Sequence, residues 1–332
     1  MTANSLLKRA PQNGLQPVDL SRHLGGIANL MEVCFSADMD AGGRSLIREM
    51  QFLSRAGPAV QLLTALPFGQ PQWTLGHVWV EEGRVVGSVS TQRAEARSNT
   101  WLVANVAVHP DYRRQGIAFA LMRATLDLIR GQGGAEAILQ VDNDNLGAIE
   151  LYRRLGFARV TTQTLWTRPA RTPAPAHQPS PFDIRLRTPQ EWPAQLELAR
   201  LVRPEGLAWS RPLRPGSLRP SLWKSLDQFF TSRAEEHWVA EDVRRGARAG
   251  LVGSLILRFN WQDGDRMVLL VQPDFRGQLE RPLLVRGLRR LVGRPWPARL
   301  EHSTDDESAS AVLRELGFQP GRTLRWMRVD IR

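Results

Sequence analysis

At 332 residues the chain is long for one domain and comfortable for two, and its 42% of apolar side chains can fill real cores. The formal charge of +11 comes from 44 Lys+Arg against 33 Asp+Glu, but the arginines are spread along the whole chain and the only lysines are Lys8 and Lys224, so no block marks a polyanion partner. A single cysteine, Cys34, excludes an intrachain disulfide framework, and no apolar run approaches the length of a membrane span; a cytoplasmic protein with no nucleic-acid or membrane partner is expected.

Ser5 to Ala10 reads as a first short strand. Leu24, Ile27, Leu30, Met31 and Cys34 recur at helical spacing and predict a helix over Leu20 to Phe35, with Cys34 as a small core residue. Ser36 to Gly43 breaks the pattern with Asp38, Asp40, Gly42 and Gly43. A second helix is predicted from Arg44 to Ala56, interrupted by Pro58, with a continuation from Val60 to Leu66. His77 to Glu81 and Arg84 to Ser90 form a hairpin around Glu82-Gly83. Trp101 to Val108 is a buried strand, ended by Pro110, which has no N–H for a ladder. From Ile117 the period changes: Ile117, Leu121, Ala124 and Leu128 predict a helix that closes near Gly131-Gln-Gly-Gly134. Ala137 to Val141 is a strand, Leu146 to Leu155 a helix stopped by Gly156, and Phe157 to Thr167 one or two closing strands.

The unit between Asn105 and Phe119 is strand, basic loop, helix. Gly116 lets the backbone approach a ligand closely, and the first N–H groups of the helix point into the loop without partners. Orphan donors and the helix dipole attract anions there, and Arg113 and Arg114 add charge-assisted donors. These residues describe a phosphate cradle.

The spacing Arg113-x-x-Gly116-x-Ala118 matches the [Gln/Arg]-x-x-Gly-x-[Gly/Ala] motif of the GNAT acetyltransferase superfamily. Asn145-x-x-Ala148-x-x-Leu151-Tyr152-x-x-x-Gly156-Phe157 resembles the family's second motif, at its usual distance. The resemblance implies acetyl-CoA as acyl donor and no metal. It implies that Arg113, Arg114, Gln115, Gly116, Ile117, Ala118 and Phe119 hold the pyrophosphate. It places Val106, Ala107 and Val108 along the pantetheine arm, where the fourth and fifth strands splay apart, and Asn145 on the cofactor. Asn145 is equally suited to cap the following helix. Tyr152 matches the tyrosine that serves as general acid toward the leaving thiolate.

The general base is missing. In the family's ribosomal-protein alanine acetyltransferases a glutamate stands five residues before the motif asparagine; here that position is Gln140, which has no useful proton affinity. His109, Asp142 and Glu150 are near in sequence but have no counterpart role in the family. Asp142-Asn-Asp144-Asn lacks the glycine and distant glutamate of a calcium loop and reads as a turn. In family members the loop between the first two helices overhangs the acetyl group. Here its only charged residues are Asp38 and Asp40, which read either as an ordinary turn or as an acidic rim that draws in a cationic amine.

Arg168 to Pro181 carries five prolines and reads as an extended linker. Beyond it the first half is echoed. Leu251-Val-Gly-Ser-Leu resembles Val85-Val-Gly-Ser-Val, Val271-Gln-Pro-Asp-Phe-Arg resembles Val108-His-Pro-Asp-Tyr-Arg, and Ala309-x-x-Val312 to Phe318 resembles Ala148-x-x-Leu151 to Phe157, at offsets of 166, 163 and 161 residues. The chain is therefore similar to tandem GNAT proteins. The expected class is α/β, with two tandem GNAT folds, each a mixed, mostly antiparallel sheet flanked by helices. The expected domains are an acetyl-CoA-binding domain over 1–167, a linker over 168–181 and a degenerate copy over 182–332. In that copy Leu279 stands at the position of Gly116, where its side chain would fill the pyrophosphate space; Asp306 replaces Asn145, Leu313 replaces Tyr152, and Glu301 stands opposite Gln140. The resemblance implies N-acetyl transfer to a primary amine, on a small molecule or a peptide N-terminus, through the first domain. The alternative is a cofactor-binding pseudo-enzyme serving as a sensor or interaction module.

Overall fold

The helical spacing of Leu24, Ile27 and Met31 builds helix α1 (Leu20–Phe35) in the computed structural model, which describes residues 13–36, 41–55, 75–94, 98–177, 179–202, 218, 234–242, 250–259 and 264–331. Asp19 caps it by accepting the Ser21 N–H at 2.9 Å. The apolar stripe of α1 packs with Ile47 and Met50 of α2 (Ala41–Arg55) over Val78 and Val80 of β2 (Leu75–Glu81). Helix α2 starts three residues ahead of the predicted Arg44. The predicted segments Ser5–Ala10 and Val60–Leu66 lie outside the described residues.

A four-residue strand that periodicity did not announce, β1 (Gly14–Pro17), pairs antiparallel with β2. Strand β2 pairs with β3 (Arg84–Arg93) through the predicted turn, and β3 pairs with β4 (Thr100–Val108). Strand β4 then pairs parallel with β5 (Glu136–Asp142), reached through helix α3 (Ile117–Gly131). Alternation along β2 sorts the faces. Val78 and Val80 meet α1, while His77 reaches Thr125 of α3 at 3.1 Å. A Cβ on Gly87 of β3 would stand 2.9 Å from both Ile117 and Leu121, so the glycine allows α3 to lie this close to the sheet.

The chain folds into two compact units that do not follow chain order: residues 1–140, 147–158 and 327–332 form one, and residues 141–146 and 159–326 the other. Each takes a strand segment from the other half of the sequence. In the second unit β6 (Ala158–Arg168) pairs antiparallel with β11 (Ala298–Ser303), from Gln163–Ser303 to Arg168–Ala298. In the first unit the end of β12 (Gln319–Asp330) lies by β5: Ile331 donates its N–H to the Ala135 carbonyl at 2.7 Å, and Arg328 stands 3.8 Å from Glu136. Helix α4 (Leu146–Arg154) precedes β6.

The second unit repeats the same order. Strand β7 (Phe182–Leu186) and helix α5 (Trp192–Val202) lead into the antiparallel strands β8 (Ala234–Asp242), β9 (Gly253–Phe259) and β10 (Asp265–Val271). Helix α6 (Glu280–Arg290) connects β10 to the parallel β11, and α7 (Glu307–Glu315) precedes β12. Each unit thus joins an antiparallel run to one parallel pair, with a crossover helix between the strands of that pair. Of the proline-rich segment, Arg168 is buried, which composition did not suggest: its guanidinium donates to the carbonyls of Leu316 at 2.7 Å, Thr172 at 3.3 Å and Pro173 at 2.5 Å. Among the described residues no helix is long and apolar enough to cross a membrane.

Candidate active site

The site begins with a break in the sheet. Ser88 pairs with Ala107 and Ser90 with Ala104, so Asn105 and Val106 stand together opposite Val89 as a β-bulge. Asn105 takes the left-handed conformation, φ 54°, which asparagine tolerates better than most residues. Its Nδ2 donates to the Ser90 hydroxyl at 2.9 Å, while the hydroxyls of Ser88, Ser90 and Thr91 donate to the carbonyls of Asn105, Ala104 and Leu102. Side chains of β3 thus satisfy the strand where the ladder is disturbed. On the other edge, β4 and β5 are paired from Thr100–Glu136 to Val103–Leu139. Val106, Ala107 and Val108 lie past that pairing, on the bulged end of the strand.

After β4 a short turn, Pro110–Tyr112, leads into the loop. Arg114 and Gly116 both adopt left-handed backbone, φ 62° and φ 80°, and Gly116 is the N-cap of α3. The first intrahelical bond is Ala120 N–H to Gly116 O, so the N–H groups of Ile117, Ala118 and Phe119 precede the ladder. A Cβ built on Gly116 meets nothing within 4 Å. Beside it a cavity of about 460 Å³ is lined by Val108, Tyr112, Arg113, Arg114, Gly116, Ile117, Ala118, Phe119, Leu151 and Arg154. Open space facing three free N–H groups and two arginines, Arg114 and Arg154, fits a phosphate-bearing ligand.

Of the cofactor residues named from sequence, Val108, Arg113, Arg114, Gly116, Ile117, Ala118 and Phe119 share this cavity. Gln115 is exposed in the same loop, and Val106 and Ala107 belong to the adjoining strand without lining it. Arg113 differs from expectation: its Nε donates back to the Val108 carbonyl at 3.2 Å rather than serving the helix start. The Cys34 thiol donates to the same carbonyl at 3.5 Å; burial pushes that thiol up, against the pull of Arg113. Asn145 stands exposed ahead of α4, its N–H donating to Asp142 O at 3.0 Å. Asp38 and Asp40 lie outside the described residues.

Tyr152 is buried on α4, its ring 5.9 Å from that of Phe157, and it is not among the residues lining the cavity. Burial pushes its phenol up to about 12. Asp142 is held by Arg322 at 2.5 and 2.6 Å, and Glu150 by Arg153 at 2.8 Å, so neither carboxylate is a free base. Sequence reasoning missed Asn105, Tyr112, Leu151 and Arg154. For Asn105 a signal existed, a polar residue interrupting an apolar run; for Leu151 and Arg154 it was their spacing of one helical turn.

The second unit differs at the corresponding loop. The expectation that Leu279 fills the phosphate space is not met. Leu279 is fully buried in the core, where it packs against Gly253 and Leu283. Its backbone is right-handed, φ −104°, which turns the side chain toward the sheet instead of the loop. Glu280, the first residue of α6, is completely buried, and no hydrogen bond of good geometry reaches either carboxylate oxygen. Burial pushes its carboxyl up, the N–H groups of Glu280 and Gly277 pull it down, Asp306 pushes it up, and His302 pulls it down. Asp306 in turn accepts from His302 at 2.9 Å and has Arg276 at 3.7 Å. A raised carboxyl contributes stability fully present below its unfolded value of 4.5 and lost as the pH rises through its folded value. Glu280→Gln is therefore expected to raise the thermal midpoint at pH 7 to 8 and to leave it nearly unchanged near pH 4; a lower midpoint for the variant at pH 8 contradicts this account of Glu280.

The profile of the acetyltransferase (GNAT) family matches residues 52–157. The N-alpha-acetyltransferase 30 of Schizosaccharomyces pombe is 35% identical over 91 residues, 26% of this chain and 61% of that protein. The [ribosomal protein bS18]-alanine N-acetyltransferase of Escherichia coli is 44% identical over 57 residues, 17% of this chain and 38% of that protein. The chain thus spans less than two thirds of the length of these curated relatives. Among solved structures, a tandem GNAT protein from the clavulanic acid biosynthesis pathway superposes with a TM-score of 0.55 at 19% identity, covering 96% of this chain and 98% of that one. A GCN5-related N-acetyltransferase from Sphaerobacter thermophilus reaches 0.59 at 17% identity, with 96% of each chain covered. At these identities the structures speak for the fold alone, and the fold is that of two tandem GNAT copies.

Proposed function

With residues 52–157 a domain of the GNAT acetyltransferase family, we propose that the chain transfers an acetyl group from acetyl-CoA to a primary amine through its first copy. The observation that carries this reading is the left-handed Gly116 cap. It presents the free N–H groups of Ile117 to Phe119 to open space beside Arg114 and Arg154.

Those groups would hold the phosphates, and the edge of β4 beyond Val103 would orient the pantetheine arm through its backbone. Bound there, acetyl-CoA supplies the acetyl group in activated form, as a thioester. The bulge at Asn105 brings backbone N–H groups to the strand end, where a donor can polarise a carbonyl. Tyr152 holds its proton across the working range and would give it, as general acid, to the leaving thiolate, and be reprotonated from water. No carboxylate is offered as base: Gln140 is exposed and can only orient a water, while Asp142 and Glu150 are committed to ion pairs. The amine either arrives neutral or gives its proton to water.

A thiol-release assay across a panel of primary amines, run beside acetyl-CoA binding, tests the proposal. Turnover on any of them supports it. Binding without turnover on all of them favours the second reading, a cofactor-binding sensor module, which Gln140 motivates.

The acceptor is proposed to be a cationic amine. Asp38 and Asp40, between α1 and α2, are the only charges of their loop, and an acidic rim on a basic protein concentrates ammonium groups locally. Replacing both with asparagine should raise the acceptor's KM about 2- to 30-fold, at roughly 0.2–1 kcal/mol for each charge removed, and leave acetyl-CoA affinity unchanged. Equal KM values at low ionic strength, where screening is weakest, remove this acceptor class.

A further inference from the structure

A second pocket, of about 680 Å³, opens in the first unit between α1, the β2–β3 hairpin and the turn after β4. No residue of α3 or of the bulged end of β4 lines it, so it is not the proposed transfer site. Its polar lining consists mostly of donors. Arg22 and Arg84 are exposed in its wall; Arg22 stands 3.6 Å from Asp19, and Arg84 has no carboxylate within ion-pair distance among the described residues.

His23 is the informative residue. Its side chain is only 8% exposed, and it lines the pocket from the first turn of α1. Its Nδ1 accepts the Asp19 N–H at 3.0 Å, so the neutral ring carries its proton on Nε2. Burial holds this imidazole below its ordinary value, with Asp19 raising and Arg22 lowering it. The neutral Nε2–H is a donor with no acceptor among the described residues, on a residue that is itself largely buried. His109 also lines the pocket, its Nδ1 3.4 Å from the Asp111 N–H and 3.6 Å from the Asp111 carboxylate. Asp111, the one carboxylate of the described lining, points outward with 81% of its side chain exposed. The apolar lining is Leu30 and Val33 of α1, Val33 being 52% exposed, with Val80, Val85 and Val86 of the hairpin strands.

We propose that this pocket is a binding site for a small organic oxyanion, a carboxylate or a phosphate, distinct from the acyl-donor cavity. The anionic group takes the Nε2–H of His23 and the two guanidiniums, and the carbon skeleton covers Leu30 and Val33. A cation would meet two guanidiniums, the His23 donor and a single outward carboxylate there, and an uncharged ligand would leave the arginines unanswered. The pocket shares the wall residue Tyr112 with the acyl-donor cavity.

The test follows the ring C–H signals of the chain's six histidines by NMR. Full-length protein is titrated with inorganic phosphate in one arm and succinate in the other, each with and without saturating CoA, against chloride at matched ionic strength. The expected result is a saturable movement of the His23 signal with one or both probes, in the presence of CoA as well as its absence. The arms show which oxyanion is taken. In the Arg22→Ala/Arg84→Ala variant, whose side chains are exposed and outside the acyl-donor cavity, the apparent Kd should rise at least tenfold, with CoA affinity within about twofold of wild type. The inference is overturned if His23 does not move up to about 20 mM of either probe, well above the millimolar affinities of weak sites. It is also overturned if chloride reproduces the movement, or if the double variant binds as tightly as wild type. A protein that fails to bind CoA but passes these tests refutes the acyl-donor reading and leaves this one standing.

Discussion

Gly116→Leu should reduce acetyl-CoA affinity by about 100-fold or more while the protein stays folded. Two effects act together. At φ 80° a leucine is forced into a left-handed backbone, at a cost of about 1–2 kcal/mol. Its side chain also projects into the open space where phosphates would meet the N–H groups of Ile117 to Phe119. Losing even two charge-assisted hydrogen bonds at about 1.5–3 kcal/mol each exceeds the roughly 2.7 kcal/mol of a 100-fold change. Gly133 provides the control. It has φ 73° and also faces open space, but it lies past the far end of α3. Gly133→Leu should lose a similar amount of thermal stability and keep its acetyl-CoA affinity. Calorimetric titration and thermal unfolding of both variants decide the matter. Wild-type affinity in Gly116→Leu, or an equal loss in Gly133→Leu, contradicts the cradle.

Tyr152→Phe should lower turnover about 10²- to 10⁴-fold and change the Kd of acetyl-CoA by less than about twofold. Phenylalanine keeps the packing on Phe157 and removes only the hydroxyl. Burial sets the pH signature. With the folded phenol pushed up to about 12 against an ordinary value of 10.0, the proton is retained throughout the neutral and mildly alkaline range. Turnover should therefore show no loss from phenol ionisation below about pH 11. The sign of the stability effect follows. The folded value lies above the unfolded one, so this contribution is fully present below pH 10 and is lost as the pH rises through 12. Tyr152→Phe should remove that part of the alkaline destabilisation, together with the tyrosinate absorbance step near pH 12. An unchanged rate, measured where chemistry limits turnover, makes Tyr152 a core aromatic and nothing more.

The parts of the fold legible in the sequence are those whose signal is local. Helix α1 has its bounds as predicted because its apolar stripe and its Asp19 cap lie within one short stretch. The β2–β3 hairpin is announced by Glu82-Gly83, both left-handed in the structure, at φ 47° and 76°. Strand β1 was not legible, since Gly14-Leu-Gln-Pro17 has neither alternation nor branched residues and is a strand only because β2 offers an edge. The sequence places Arg168 in a linker, because three carbonyl partners at Thr172, Pro173 and Leu316 cannot be inferred from a proline count.

The sequence by itself determined the strand–loop–helix unit around Gly116 and the duplication. Both are written in contiguous residues: the loop from Arg113 to Phe119 carries its own geometry in Gly116, and the glycines of the two Val-Gly-Ser stretches, Gly87 and Gly253, each leave room for the helix that lies on them. Only the tertiary structure decided which distant groups join that loop and which way side chains of the second copy turn. Tyr112, Leu151 and Arg154 reach one cavity because a strand, a turn and a helix from separate stretches meet there. Leu279 turns inward because the core beside Gly253 gains more from a leucine than the loop does, which leaves Glu280 as the buried carboxyl at the helix start. The exchanged strand segments follow the same reasoning. A strand pattern states that a segment will pair, whereas the partner is chosen by whichever sheet edge the folded units leave open, and for β6 that edge is β11.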